Sequence, residues 1–123
     1  MVDPTEMTPE DCWQLLKSAA LGRVALVRAG LPSIVPVNIC ATDGAVWVRT
    51  GPGALLDAAL AGEVLSVEAD DVDRQWHHGW SVLVTGRAEV AAEREDLPVS
   101  AWARPDAHHL VRIDAELVTG RRI

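Results

Sequence analysis

The stretch "WSVLVTGRAEVAA" begins at Trp80 and alternates side chains with a period of two. Val82, Val84, Gly86, Ala88 and Val90 fall on one side; Ser81, Leu83, Thr85, Arg87 and Glu89 fall on the other. A period of two over this length specifies a strand. The first face is small and apolar, which suits the crowded interior of a small barrel. The second face is mixed and fits neither a core nor a plain solvated surface. It is expected to form half of a dimer interface or the floor of a ligand site.

The rest of the chain reads around this strand. "TPEDCWQLLKSAA" is a helix over about residues 8–20, with Thr8 as cap, Pro9 at its first position and Glu10 and Asp11 at its positive end. Its apolar face is Cys12, Leu15, Leu16 and Ala19. "GRVALVRAG" is a strand ending in a turn. "PSIVPVNICAT" is a second strand, with Val35, Val37 and Ile39 on one face and Ile34, Pro36 and Asn38 on the other. "DG" at 43–44 signals a hairpin into a third strand, "AVWVRT". "PGALLDAALAG" is a short helix and "EVLSVEAD" a fourth strand. "DVDRQWHHG" reads as a polar loop before the long strand. "EREDLPVSAWARPDA" mixes helix and loop, and "HHLVRIDAELVTGRRI" holds a sixth strand with room for a short seventh. Short strands, hairpins and few helices make a mainly β antiparallel barrel. Doubly wound α/β is excluded, because most strands lack a crossover helix. One domain spans residues 1–123, with the barrel over about 22–123.

Composition narrows the partners. The formal net charge is −7 and there is no basic stripe, so nucleic acid is not an expected partner. No run approaches a membrane span, and the acidic "MVDPTEMTPEDC" lacks a signal-peptide core; a cytoplasmic location is expected. Five Trp stand beside no Phe and no Tyr, so packing as well as stacking falls to Trp. Cys12 and Cys40 are too few for a disulfide scaffold or zinc site, and Cys40 reads as a packing residue. The His77–His78 and His108–His109 pairs read as solvated loop residues, because adjacent histidines do not chelate together easily. No metal site is expected.

"RTGPGALLDAAL", from Arg49 to Leu60, poses the sharpest question. Two glycines and a proline between a strand and a helix leave backbone N–H groups for an anion. A phosphate-holding loop usually brings a lysine or arginine as well, and this helix opens with Ala54, Leu55 and Leu56. Alternation also sends the Arg49 and Thr50 side chains to opposite faces.

Taken in order, "LGRVALVRAGLPSIVPVNI", "DGAVWVRTGPGALLDAA", "SVEADDVD", "GWSVLVTGRAEV" and "VTGRRI" resemble the pyridoxamine 5′-phosphate oxidase-like flavin-binding split-barrel proteins, which include the flavin/deazaflavin oxidoreductases. The resemblance implies a six-stranded antiparallel split barrel that forms a homodimer, with two flavin sites across the subunit interface. It implies that Pro36, Val37 and Asn38 offer backbone groups to the isoalloxazine edge. It implies that Arg49 and Thr50 meet phosphate or ribityl oxygens, and that Gly51, Gly53, Ala54 and Leu55 close over the phosphate. Trp80 and Ser81 would approach the ring, and Arg121 or Arg122 would reach it across the dimer. The departure is the missing helix cation, where Leu55 and Leu56 stand.

Two functions remain open on these residues. The first is an FMN- or F420-dependent oxidoreductase, whose cofactor carries the hydride chemistry. FMN is preferred, because an acidic chain gives the acidic tail of F420 no steering. The second is a non-catalytic homologue with a degenerate phosphate loop that holds haem or no cofactor. Trp76, Trp80 and Trp102 are candidates for stacking on a flat ring, though packing explains each of them.

Overall fold

A computed structural model describes residues 5–99 and 107–123 of the chain. It contains α1 (Pro9–Ser18), β1 (Leu21–Arg28), β2 (Leu31–Asn38), β3 (Cys40–Thr42), β4 (Ala45–Thr50), α2 (Ala54–Leu60), β5 (Val64–Asp73), β6 (His78–Ala91), β7 (His109–Asp114) and β8 (Leu117–Arg122). The α1 cap is as expected: the Asp11 N–H donates to the Thr8 hydroxyl at 3.2 Å, ahead of Pro9. Cys12 and Leu16 are buried. Leu15 and Ala19 pack partly against the same core.

All strand pairs are antiparallel, in the order β2-β1-β5-β6-β7-β4-β3, with β8 also on β6. β6 is the spine. Its residues 78–87 pair with β5, and its other edge is shared between β8 at Trp80–Thr85 and β7 at Ala88–Ala91. The chain turns from β7 into β8 over Gly86. A Cβ on Gly86 would collide with the Asp114 carbonyl, whose carbon lies 2.7 Å from that position.

The run that reads as one strand from Pro32 to Thr42 is two. β2 pairs with β1, and β3 pairs with β4. The break falls at Ile39, whose N–H donates to the Ala20 carbonyl at 3.0 Å. Ile39 turns into the core against Gly22, where a Cβ would lie 3.1 Å from the isoleucine methyl. The chain passes here from one end of the hydrogen-bonded sheet to the other. Covalent continuity therefore joins the two ends where the ladder does not, as in a split barrel. The Ile39–Ala20 bond also sets the phase of the β1–β2 ladder. Val37, Val35, Ser33 and Leu31 bond to β1, whereas Asn38, Pro36, Ile34 and Pro32 direct their backbone groups the other way.

The 43–44 hairpin is confirmed, with Asp43 and Gly44 at φ 53° and 70°. The polar loop is shorter than expected. Asp71, Val72 and Asp73 pair with Trp80, Gly79 and His78, leaving a turn at 74–77. Asp73 Oδ1 closes that turn by accepting the Gln75 and Trp76 N–H groups at 3.0 and 3.1 Å.

The apolar face of β6 lines the main core: Val82, Val84, Gly86 and Ala88 are buried. Val90 departs from the expectation at 37% exposure. β5 pairing stops opposite Arg87, and no strand among the described residues covers that side of β6 beyond it. The main core is built from Val, Leu, Ile and Ala with Cys12. A smaller cluster on the other side of β4 holds Ala45, Trp47, Leu97, Val99 and Leu110. No helix among the described residues is long and apolar enough to cross a membrane.

Candidate functional site

The mixed face of β6 belongs to a larger surface. Strand register places Pro36, Arg23, Glu68, Leu83 and Thr119 in one cross-strand row. The next row contains Asn38 with Leu21 and Asp70 with Ser81 and Arg121. Four residues expected at a cofactor, Pro36, Asn38, Ser81 and Arg121, thus share one sheet face. A groove of about 700 Å³ borders it, lined by Ser81, Leu83, Thr119 and Arg121 and closed by Thr5 and Glu6. The N-terminal segment is held there by backbone bonds from Met7 N–H to Gly120 and from Arg122 N–H to Thr5.

The polar centre of this face escaped the sequence reading. Arg23 Nη1 donates to Glu68 Oε1 at 3.1 Å and to Asp70 Oδ2 at 3.2 Å. Ser81 Oγ donates to Glu68 Oε2 at 3.0 Å. Partial burial and the neighbouring Asp70 hold the Glu68 carboxyl above the usual range, although Ser81 and Arg23 act in the opposite direction. The available signal was Glu68 at an outward position of "LSVEAD", with Asp70 two residues on at the same face.

The remaining expected residues are placed elsewhere. The Val37 and Trp80 side chains point to the opposite side and pack on the main core. Leu55 is itself core at 4% exposure, and Ala54 packs against it. Arg49 lies on the small-cluster side of β4. Its Nε donates to the Val99 carbonyl at 2.9 Å, Nη2 to the Arg94 carbonyl at 3.1 Å, and Nη1 to Glu93 at 2.8 Å. Arg49 in turn holds the Glu93 carboxyl below its ordinary range. Thr50 Oγ1 donates to the Gly51 carbonyl at 3.1 Å. Gly51 is buried, and Gly53 has a φ of 149° that favours glycine. The helix opening therefore lacks a cation because its first two leucines are needed inside. Trp102 lies outside the described residues, and Trp76 is exposed at the 74–77 turn.

Comparison with known proteins adds a family to this geometry. A family model described as pyridoxamine 5′-phosphate oxidase matches residues 8–122. An uncharacterized protein of Mycobacterium tuberculosis is 38% identical over 96% of this chain and 84% of its own length. The structure of an FAD-binding protein from Mycobacterium smegmatis superposes with a TM-score of 0.76 at 34% identity, covering 97% of each chain. A candidate pyridoxamine 5′-phosphate oxidase from Corynebacterium glutamicum superposes with a TM-score of 0.79 at 27% identity, covering 100% of this chain and 96% of that one.

Proposed function

The chain belongs to the pyridoxamine 5′-phosphate oxidase family, and we propose that it binds a flavin nucleotide across the interface of a homodimer and acts as an oxidoreductase. The observation that carries this reading is the shared face of Pro36, Asn38, Ser81 and Arg121 beside an open groove. Exposed apolar residues surround it, with Ile34 at 72% and Leu83 at 40%. A sheet face of this kind is covered in a stable soluble protein, and a second copy supplies the cover. The name of the M. smegmatis relative supports a flavin as the ligand.

In this reading Ser81 and Arg121 contact the ring, and the β2 backbone from Pro36 to Asn38 runs along it. Thr50, Gly51 and Gly53 border the phosphates. A bound flavin supplies hydride-transfer chemistry itself, so the protein's tasks are placement, hydrogen bonding and exclusion of water. A terminal phosphate monoester carries about 1.5–2 negative charges at neutral pH, and α2 brings it no cation because Leu55 and Leu56 are buried. FAD spreads a comparable total charge over its two phosphates, so the missing cation does not choose between the nucleotides; the FAD-binding M. smegmatis relative favours FAD over the FMN expected from the sequence.

The visible spectrum and light-scattering mass of the purified protein test the proposal, together with fluorescence titrations of FAD and FMN. A dimer that quenches added flavin supports it. A monomer that binds neither flavin overturns it, and a haem or deazaflavin spectrum replaces the ligand. FMN binding tighter than FAD overturns the choice of nucleotide alone.

A further inference from the structure

The hydroxyl of Ser81 has one proton. Its 3.0 Å bond commits that proton to Glu68 Oε2. An ionised carboxylate can only accept, so the direction of this bond is not adjustable. The other carboxylate oxygen, Oε1, is occupied by Arg23 at 3.1 Å, which fixes the carboxylate plane. Ser81 consequently presents only lone pairs to the groove it lines.

We propose that Glu68 is a positioning residue that makes Ser81 a hydrogen-bond acceptor, so that the ligand must place an N–H or O–H donor against it. This rests on the flavin reading above and sharpens it. An isoalloxazine ring carries a donor of this kind at its imide N–H, and a reduced ring carries a second. A ligand that offered only a carbonyl or an unprotonated ring nitrogen at that point would face lone pair against lone pair. The two carboxylates of the cluster thus differ in role. Asp70 shares Arg23 with Glu68 and neighbours its carboxyl, whereas Glu68 is the one that connects Arg23 to Ser81.

The substitution Glu68→Gln has a determinate geometry. Arg23 has only donors, so it keeps the amide oxygen on its own side and turns the amide NH₂ toward Ser81. Ser81 then accepts from Gln and aims its proton into the groove, reversing its polarity with almost no change in shape.

The experiment is a double-mutant cycle on flavin affinity at pH 8, read by fluorescence quenching with wild type, Glu68→Gln, Ser81→Ala and the double variant. Circular dichroism verifies that each is folded. Glu68→Gln is expected to weaken flavin binding about tenfold or more, and Ser81→Ala by less, since an absent group costs less than an opposed one. In the Ser81→Ala background, Glu68→Gln is expected to change affinity by less than about twofold, because the residue it acts through is gone. An equal loss from Glu68→Gln with and without Ser81 overturns the inference while leaving the flavin reading intact. So does a gain in affinity in the single variant. Wild-type protein that binds no flavin at all removes the flavin reading itself, and the inference with it.

Discussion

Arg49 and Val99 are joined by a 2.9 Å hydrogen bond from the arginine Nε to the valine carbonyl, fifty residues along the chain. With the bonds to the Arg94 carbonyl and Glu93, it pins the segment after β6 onto the outer side of β4. Arg49→Ala is therefore expected to destabilise the fold by about 1.5–3 kcal/mol, the worth of charge-assisted bonds. Arg49→Lys should recover only part of this, since an ammonium cannot reproduce the fork. Urea denaturation measures both.

Leu55 argues a second prediction. At 4% exposure it has no room for an ammonium. Leu55→Lys should destabilise the protein by at least the roughly 2–5 kcal/mol of a buried Leu→Ala change, visible as a lowered Tm. Ala54 is only half-buried at the helix start, and Ala54→Lys is the better route to a cation. It should leave Tm nearly unchanged and tighten FMN by up to about tenfold, or roughly 1.4 kcal/mol, in a fluorescence titration. Unchanged FMN affinity in a folded Ala54→Lys variant would argue that the loop holds no flavin phosphate.

The two ends of the β6 inner face should respond differently to the same change. Val84 is fully buried and Val90 is 37% exposed. Val84→Asp is expected to abolish folding, because an unpaired buried carboxylate costs several kcal/mol. Val90→Asp should lower Tm only slightly. Equal effects would mean that the strand register is misplaced.

Gly86→Ala is expected to be among the most damaging single-methyl additions in the chain. The added carbon would occupy the place of the Asp114 carbonyl, which is backbone and cannot swing aside. Gly30, at φ 76° with open space around it, isolates the conformational cost alone. Comparing the Tm of both alanine variants separates collision from backbone strain.

Acid titration followed by carboxyl NMR shifts should show Glu68 taking up its proton above the ordinary glutamate value, and Glu93 and Asp96 below their own ordinary values. Burial and Asp70 raise Glu68 above 4.5, whereas Arg49 lowers Glu93 and Arg94 lowers Asp96 below their ordinary 4.5 and 3.8. The signs follow by linkage. Glu93 and Asp96 contribute stability that is present above their ordinary values and lost as pH falls through their folded ones. Glu68 does the reverse: its contribution is full below 4.5 and is lost as pH rises through its folded value.

The sequence made the strands legible wherever one face is apolar, and β6 from Ser81 to Ala88 is the clearest case. It did not reveal the break at Ile39, because alternation continues unchanged through the residue at which the chain passes from one end of the sheet to the other. The family resemblance pointed to Ser81, Asn38 and Arg121, and the strand register brings them onto one sheet face. The meeting of Glu68 with Arg23 and Ser81 depends on register across three strands, and no local pattern encodes it. Arg49 looked like a ligand for phosphate because a guanidinium at a loop edge has the right chemistry. Its use depends on which face of β4 it takes and on a segment fifty residues away.

The phase of β2 has a consequence for self-assembly. Of the four residues directing backbone groups away from β1, Pro32 and Pro36 have no N–H to give. An approaching foreign strand would find its carbonyls unmatched at every second rung, so growth of an intermolecular sheet along this edge is interrupted within a few residues. The chain can keep a strand at the end of its sheet, with carbonyls facing outward for a small ligand, without that strand becoming a template for fibrils.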